Sequence, residues 1–371
     1  MQLKVSGNMI YFWKNGHLMI DDFIRHEQYS LELSVFPILG LFKEWNDPDS
    51  AYLQLQKDRA SSLTRNEMME IIKSLQEVHI LIEKENLEDM KLENWREWGT
   101  PAKYFHFNTR LLHKDNYLDV NQDYERLVNK KQNIKAPSIY KIYDNVEEIP
   151  LPTPDFKKEG KFLETLLERQ TIRSFSEKPI TLIELSTILY FVWGAQSCKR
   201  DFGVGANLFK TSPSGGARHP IEVYPYITNV TGIKEGLYHY NVQNHSLNVI
   251  KKEKITDIID MAAGQEYVKN ASVLFFYTAC LERPMWKYKS PRVYRIIMMD
   301  VGHLSQTFYL VASWLKLGAF FTGHLKDELV EERLFIDKEK EIVCGLSGIG
   351  HISDGAKNYG RDFRFRGEDL K

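Results

Sequence analysis

Three prolines alternate with other residues in Ile149-Pro150-Leu151-Pro152-Thr153-Pro154, and no helix can run through such a segment. Proline has no N–H to donate and disfavours helical backbone in the residue before it, so the alternation commits the stretch to extended backbone. A chain of 371 residues is long for one domain, and an extended proline stretch is a natural spacer. The expected division is therefore a module over residues 1–85, a helical connecting region over 86–148, and a larger domain over 149–371.

Composition narrows the class. Hydrophobic residues make up 43% and charged residues 27%, enough for sizeable cores and too balanced for disorder. The formal net charge of −1 supplies no global field for nucleic acid or an anionic membrane, so any bound anion must be held by a local cluster. Apolar runs such as Ala271–Tyr277 fall short of the roughly 20 residues of a membrane span, and Met1–Asn8 is no signal peptide, so a cytoplasmic location is expected. Cys198, Cys280 and Cys344 have no CxxC or Cys/His spacing, and the histidines show no ligand spacing. Structural thiols are expected, and no metal.

Periodicity places the elements. Met9–Trp13 and His17–Ile20 read as strands around the Lys14-Asn15-Gly16 turn. Ser34–Phe42 has helical apolar spacing, and Thr64-Arg65-Asn66-Glu67 is a capping box opening a helix with Met68, Ile71, Ile72 and Leu75 on one stripe, before a strand over Ile80–Ile82. Together these suggest a winged-helix-like module, although Asp21, Asp22, Glu27, Glu32, Glu44, Asp47 and Asp49 argue against DNA as its partner. Beyond the prolines, helices are expected over Gly160–Glu168, Leu182–Gly194 and Tyr294–Leu317, and strands over Ile221–Thr228, Gly236–Tyr240, Leu247–Lys251, Ala271–Thr278 and Ile342–Ile349. The larger domain reads as α+β.

Three segments could carry chemistry. In Arg169-Gln170-Thr171-Ile172-Arg173, two guanidinium groups and a hydroxyl stand at every second residue, so on extended backbone they share a face suited to a phosphate; a solvated loop accounts for them equally well. Ser212-Pro213-Ser214-Gly215-Gly216-Ala217-Arg218-His219-Pro220 permits close backbone approach to a planar ligand, or is a plain turn. Lys287-Tyr288 follows a buried strand and precedes the long helix. In a confined site the ammonium would favour the phenolate and make Tyr288 a usable base; otherwise the pair is packing. The lone Gly203-Val204-Gly205, and Gly348-Ile349-Gly350 without a third glycine, leave the dinucleotide fingerprint unmet, and no P-loop is present.

In order, Arg-x-Thr-x-Arg, then Pro-Ser-Gly-Gly-Ala-x-x-Pro-x-Glu-x-Tyr (Pro213–Tyr224), Gly-Leu-Tyr-His-Tyr (Gly236–Tyr240) and Lys-Tyr…Tyr-Arg…Gly-His…Gln (Lys287 to Gln306) resemble the nitroreductase-fold, FMN-dependent dehydrogenases of the SagB/McbC type. Those enzymes oxidise thiazolines and oxazolines to thiazoles and oxazoles in ribosomally made peptides. The likeness spans roughly Gly160 to His351, and Met1–Tyr140 more loosely resembles the peptide-binding modules fused to some members. It implies an α+β nitroreductase-like fold, a mixed sheet packed by helices, with FMN at the interface of a homodimer.

Carried over by residue, the resemblance puts Arg169, Thr171 and Arg173 on the FMN phosphate and ribityl chain. It puts Pro213, Ser214, Gly215 and Gly216 along the isoalloxazine, with Gly323 offering its backbone N–H to the ring. Gln306 joins the cofactor set, and Lys287 and Tyr288 match the pair tied to azoline dehydrogenation. Thr171 stands where the family usually has Ser, and Arg218-His219 departs from the usual aliphatic residue, which would alter a substrate-facing rim. The resemblance also implies a C-terminal phosphate contact, with Lys357 and Arg361 both open as the residue that makes it. A peptide substrate and a cyclodehydratase complex are the implied partners, with oxygen as reoxidant. The alternative activity is an FMN-dependent reductase of dehydroamino acids, nitro groups or quinones; a non-catalytic peptide-binding scaffold is the reading from a different class.

Overall fold

The computed structural model describes residues 1–57, 62–84, 86, 91–115, 118–201 and 205–354. The chain forms two compact units, Met1–Asp115 and Asn116–Lys371.

In the first unit, strands β1 (Leu3–Val5), β2 (Met9–Lys14), β3 (His17–Asp22) and β4 (Glu27–Leu31) precede helices α1 (Phe36–Leu41), α2 (Pro48–Lys57) and α3 (Arg65–Glu77). Strand β5 (Leu81–Glu83) and helix α4 (Gly99–Asn108) follow. β2, β3 and β4 form an antiparallel meander, and β5 returns to pair with β1. Asn15 and Gly16 both have positive φ, 52° and 80°, as a two-residue turn matched to strand twist requires. Thr64 and Glu67 make the expected reciprocal cap of α3, which buries Met68, Ile72 and Leu75 against Leu3, Ile20, Ile38 and Phe42.

The second unit opens with α5 (Val120–Asn133), β6 (Glu148–Pro150), α6 (Phe162–Glu168) and α7 (Leu182–Trp193), followed by the hairpin of β7 (Ser197–Asp201) and β8 (Gly205–Phe209). Next come β9 (Ile221–Ile227), β10 (Gly236–Asn241), β11 (Ser246–Lys251), α8 (Ile258–Met261) and β12 (Val273–Cys280). α9 (Glu282–Lys287), α10 (Val293–Trp314), β13 (Gly318–Thr322), α11 (Asp327–Leu334) and β14 (Glu341–Gly350) complete it.

A seven-stranded sheet in the order β13-β14-β12-β9-β10-β11-β6 is the frame. Alternation in β12 decides its two faces: Val273, Phe275, Tyr277 and Ala279 point to one core, Leu274 and Phe276 to the other. The first core takes α7 and the apolar stripe of α10 (Ile297, Val301, Leu304, Phe308, Ala312). Trp193 stacks on Phe275 there with ring centres 5.4 Å apart, a contact whose truncation to Ala would cost about 3–5 kcal/mol. The second core takes α8 and α11.

Two expectations change. The sheet expected to be mixed is antiparallel at every pairing between its described strands. The proline segment also lies inside the second unit, downstream of the division at Asp115. Glu148–Pro150 is an edge strand on β11, and Leu151 is buried in the first core. The extended backbone that prolines enforce serves an edge strand as well as a spacer, because an edge leaves one N–H row unused.

Candidate functional site

The segment after α6 runs extended beside β13, with the Ile172 N–H donating to the Ala319 carbonyl at 2.8 Å. Ile172 is buried, while Thr171 and Arg173 are exposed and Arg169 partly so. The expected shared face is therefore present. Both guanidinium groups lie over tyrosine rings, Arg169 over Tyr309 at 5.2 Å and Arg173 over Tyr267 at 5.1 Å, and neither has a carboxylate partner among the described residues. The Thr171 hydroxyl meets the Tyr309 hydroxyl at 3.1 Å, and Tyr309 also accepts from the Phe321 N–H at 2.9 Å. Two unneutralised cations and a hydroxyl on one outward face suit an anion of phosphate type.

Gly323 joins the same neighbourhood. Tyr267, beneath Arg173, donates to Gln265, which accepts from the Thr322 hydroxyl at 3.0 Å and donates to the His324 carbonyl at 2.7 Å. Gly323 is thus held in a pinned segment, exposed, and a Cβ there would meet nothing among the described residues within 4 Å. Packing among the described residues does not require glycine at 323; close approach by a ligand would.

The Pro213–Gly216 loop is anchored on α10. Asp300 accepts from the Ser214 hydroxyl at 2.6 Å and from the Gly215 N–H at 3.2 Å, and Ser214 accepts from the His219 N–H at 2.9 Å. His303 stands 3.3 Å from the Pro213 carbonyl, and Gln306 lies exposed further along the helix. Asp300 is 4% exposed, and burial pushes its carboxyl above the usual range against the pull of Ser214 and Gly215. The sequence signal for this anchor is a lone carboxylate inside the apolar run Ile296-Ile297-Met298-Met299-Asp300-Val301.

Lys287 and Tyr288 meet that loop. α9 ends at Lys287, whose Nζ donates to the Gly216 carbonyl at 3.1 Å and stands 5.4 Å from the centre of the Tyr288 ring. Tyr288 is extended (φ −118°, ψ 136°), the change of backbone that lets two adjacent side chains serve one place. Arg218, at the departure expected to alter a substrate-facing rim, is buried beneath the loop and donates from Nε to the same Gly216 carbonyl at 3.1 Å and from Nη2 to Asn207.

Electrostatics correct the picture of an ammonium-activated phenolate. Burial raises the Tyr288 phenol above its usual value, Arg218 is the cation opposing that rise, and Asp123 and Asp300 add to it. Burial and Arg218 lower Lys287. Tyr288 therefore rests as a phenol, with Arg218 the main group favouring its ionised form. Burial likewise drops His219 to about 3, so its ring is neutral.

Two motifs that carry the family resemblance interlock behind this loop. Glu222 of β9 pairs with Arg283 of α9 at 2.6 Å and with His239 of β10 at 2.9 Å, all three buried. Arg283 also donates to the His219 carbonyl at 2.9 Å, so the pair ties α9 to both the sheet and the loop. The expected phosphate contact between 357 and 361, and Gly203 and Val204 of the lone GxG, lie outside the described residues. Among the described residues, no group of three or more His, Cys, Asp or Glu could hold a metal, and no helix is long and apolar enough to cross a membrane.

Comparison with known proteins supplies the lineage. Residues 166–351 match the nitroreductase family model. A protein of Methanocaldococcus jannaschii named as a nitroreductase is 32% identical over 55% of this chain and 97% of its own length. The trifolitoxin-processing protein TfxB of Rhizobium leguminosarum bv. trifolii is 35% identical over 37% of this chain, and the match spans only 38% of that relative. A crystal structure titled as a nitroreductase from Anabaena variabilis superposes with a TM-score of 0.53 at 23% identity, covering 69% of this chain and 48% of that one. With 166–351 matched by the family model and a relative aligned over almost its whole length, this chain belongs to the nitroreductase family.

Proposed function

We propose that the protein is an FMN-dependent dehydrogenase that oxidises thiazoline or oxazoline rings in a ribosomally made peptide. The observation carrying this reading is the seating of Lys287 and Tyr288 on Gly216, a proton-transfer pair built onto the loop that the resemblance assigns to the flavin ring. The similarity to a trifolitoxin-processing protein supports a peptide substrate.

The residues present fit the cofactor. Arg169, Thr171 and Arg173 would hold the phosphate end, since neither guanidinium group has a carboxylate partner among the described residues. Pro213–Gly216 and Gly323 would line the ring, with Gln306 of α10 beside them. When bound, FMN would supply the two-electron acceptor for the hydride. In its ionised form, which Arg218 favours, Tyr288 would take the azoline Cα proton on its phenolate oxygen, with Lys287 fixed by the Gly216 carbonyl. The protein's part is orientation of ring and base. Exposed Tyr294, Met298 and Met299 on α10 support a second copy of the chain covering that face. Residues 1–85 would recognise the peptide, and a cyclodehydratase would supply the azoline.

The raised Tyr288 phenol favours a second reading, a reductase in which Tyr288 donates its proton to the substrate. One experiment tests both: purify the protein and ask for yellow colour and released FMN. Loss of two hydrogens from an azoline peptide supports the dehydrogenase. NADPH consumption with a generic acceptor and none with the azoline selects the reductase, and a colourless chain that takes up no flavin sinks both.

A further inference from the structure

Helix α5 lies upstream of the family match over 166–351, yet its side chains terminate α9. Arg126 donates from Nη2 to the Lys287 carbonyl at 2.7 Å. Lys130 donates from Nζ to the Trp286 carbonyl, its ammonium 5.5 Å from the centre of that indole ring. A helix leaves its last carbonyls without internal partners, and cations placed there gain both a hydrogen bond and a favourable dipole interaction. α9 has only six residues, and the cations at its end come from another helix. Arg126 is itself oriented by Asp123, whose Oδ1 accepts from its Nε and Nη2 at 2.9 and 2.7 Å.

The chain just after α5 adds two more ties to α9. The Arg283 Nε donates to the Ser138 carbonyl at 3.0 Å, and the Trp286 indole N–H to the Ile134 carbonyl at 3.4 Å.

We infer that α5 positions the Lys287–Tyr288 pair, Arg126 and Lys130 fixing the two carbonyls at the end of the helix from which these side chains extend. The inference rests on the reading of that pair as the proton-transfer groups. The charged groups acting on Tyr288 are Arg218 from the loop before β9, Asp300 from α10, Asp123 from α5, and Lys287 beside it. Arg126 neutralises Asp123, so removing Arg126 leaves a bare carboxylate disfavouring the phenolate, and Tyr288 then ionises at higher pH.

The test uses full-length, FMN-loaded protein as wild type, Arg126→Gln and Arg126→Lys, each paired with the same chain carrying Tyr288→Phe. Subtracting the pair isolates the ultraviolet tyrosinate signal of Tyr288. The midpoint is expected to rise in Arg126→Gln and return towards wild type in Arg126→Lys, with FMN retained. Turnover of an azoline peptide should fall in kcat by about tenfold to a hundredfold, the scale of a small misplacement of reacting groups, with KM little changed. An unmoved midpoint with unchanged kcat overturns the inference. Should Arg126→Gln fail to fold, Lys130→Ala removes the Trp286 tie alone; a fall in kcat supports positioning, and unchanged kcat overturns it. A wild type inactive on azolines whose Tyr288 midpoint still rises in Arg126→Gln would sink the dehydrogenase reading and leave the positioning role standing.

Discussion

The Tyr288 hydroxyl occupies the space that a side chain at Gly216 would need. Lys287 Nζ crowds the same spot, and Gly216 itself has φ +62°, so glycine is required there both by backbone conformation and by its neighbours. The loop and the Lys-Tyr pair are two halves of one fitted surface, although about seventy residues separate them.

Gly216→Ala tests that fit. The strained φ costs of order 1 kcal/mol, and the methyl displaces Tyr288 or the loop. We expect a modest fall in Tm and a loss of kcat of about tenfold or more, measured by thermal unfolding and steady-state turnover. Wild-type turnover would show that Tyr288 can shift without consequence.

Arg169 and Arg173 each stand on a tyrosine with no carboxylate partner among the described residues, so removing either should leave folding intact and weaken flavin binding. A charge-assisted hydrogen bond contributes about 1.5–3 kcal/mol, which corresponds to roughly tenfold to a hundredfold in Kd. Arg169→Met and Arg173→Met should each show this in an FMN titration, and the double variant should purify without colour. Unchanged affinity in both would move the phosphate elsewhere.

Arg218 favours the ionised form of Tyr288, and its loss should be read in pH rather than in folding alone. Without that positive charge the phenolate is disfavoured, so the midpoint of the rising alkaline limb of kcat/KM moves upward in Arg218→Met, while Arg218→Lys stays near wild type. A downward shift would contradict the sign, and an unmoved limb would assign the profile to another group.

Local rules carried far in this sequence because several elements are specified by neighbours. The Asn15-Gly16 turn, the Thr64 cap and the alternation over Arg169–Arg173 all depend on side chains within a few positions, and they appear as read. The features that local rules do not reach depend on distant partners. Pro150 reads as spacer until β11 pairs with it, and nothing near Arg218 in the sequence marks Asn207 and the Gly216 carbonyl as its partners. Tyr309 and Tyr267, which support the two arginines, lie about a hundred residues or more away and carry no local pattern marking them.

The Glu222–Arg283 pair makes the last prediction, because it is buried and ties α9 to the sheet. Burial opposes ionisation of Glu222, but Arg283, with His239 and Lys210, holds its carboxyl below the usual range. A carboxylate depressed on folding stabilises above its unfolded pKa, near 4.3, and that contribution disappears only as pH falls through the lower folded value. Arg283→Met leaves Glu222 buried with its main cation gone, a loss of about 3–5 kcal/mol at pH 7. Burial then dominates and raises the folded pKa, so the variant's folded state takes up a proton on acidification that its unfolded state does not. The stability gap from wild type should therefore narrow between pH 7 and pH 5, as read by urea unfolding at both. Adding Glu222→Gln should recover part of the loss at pH 7 and remove the narrowing. A gap independent of pH in the single variant would mean that Glu222 stays ionised without Arg283, and that His239 and Lys210 suffice to hold it.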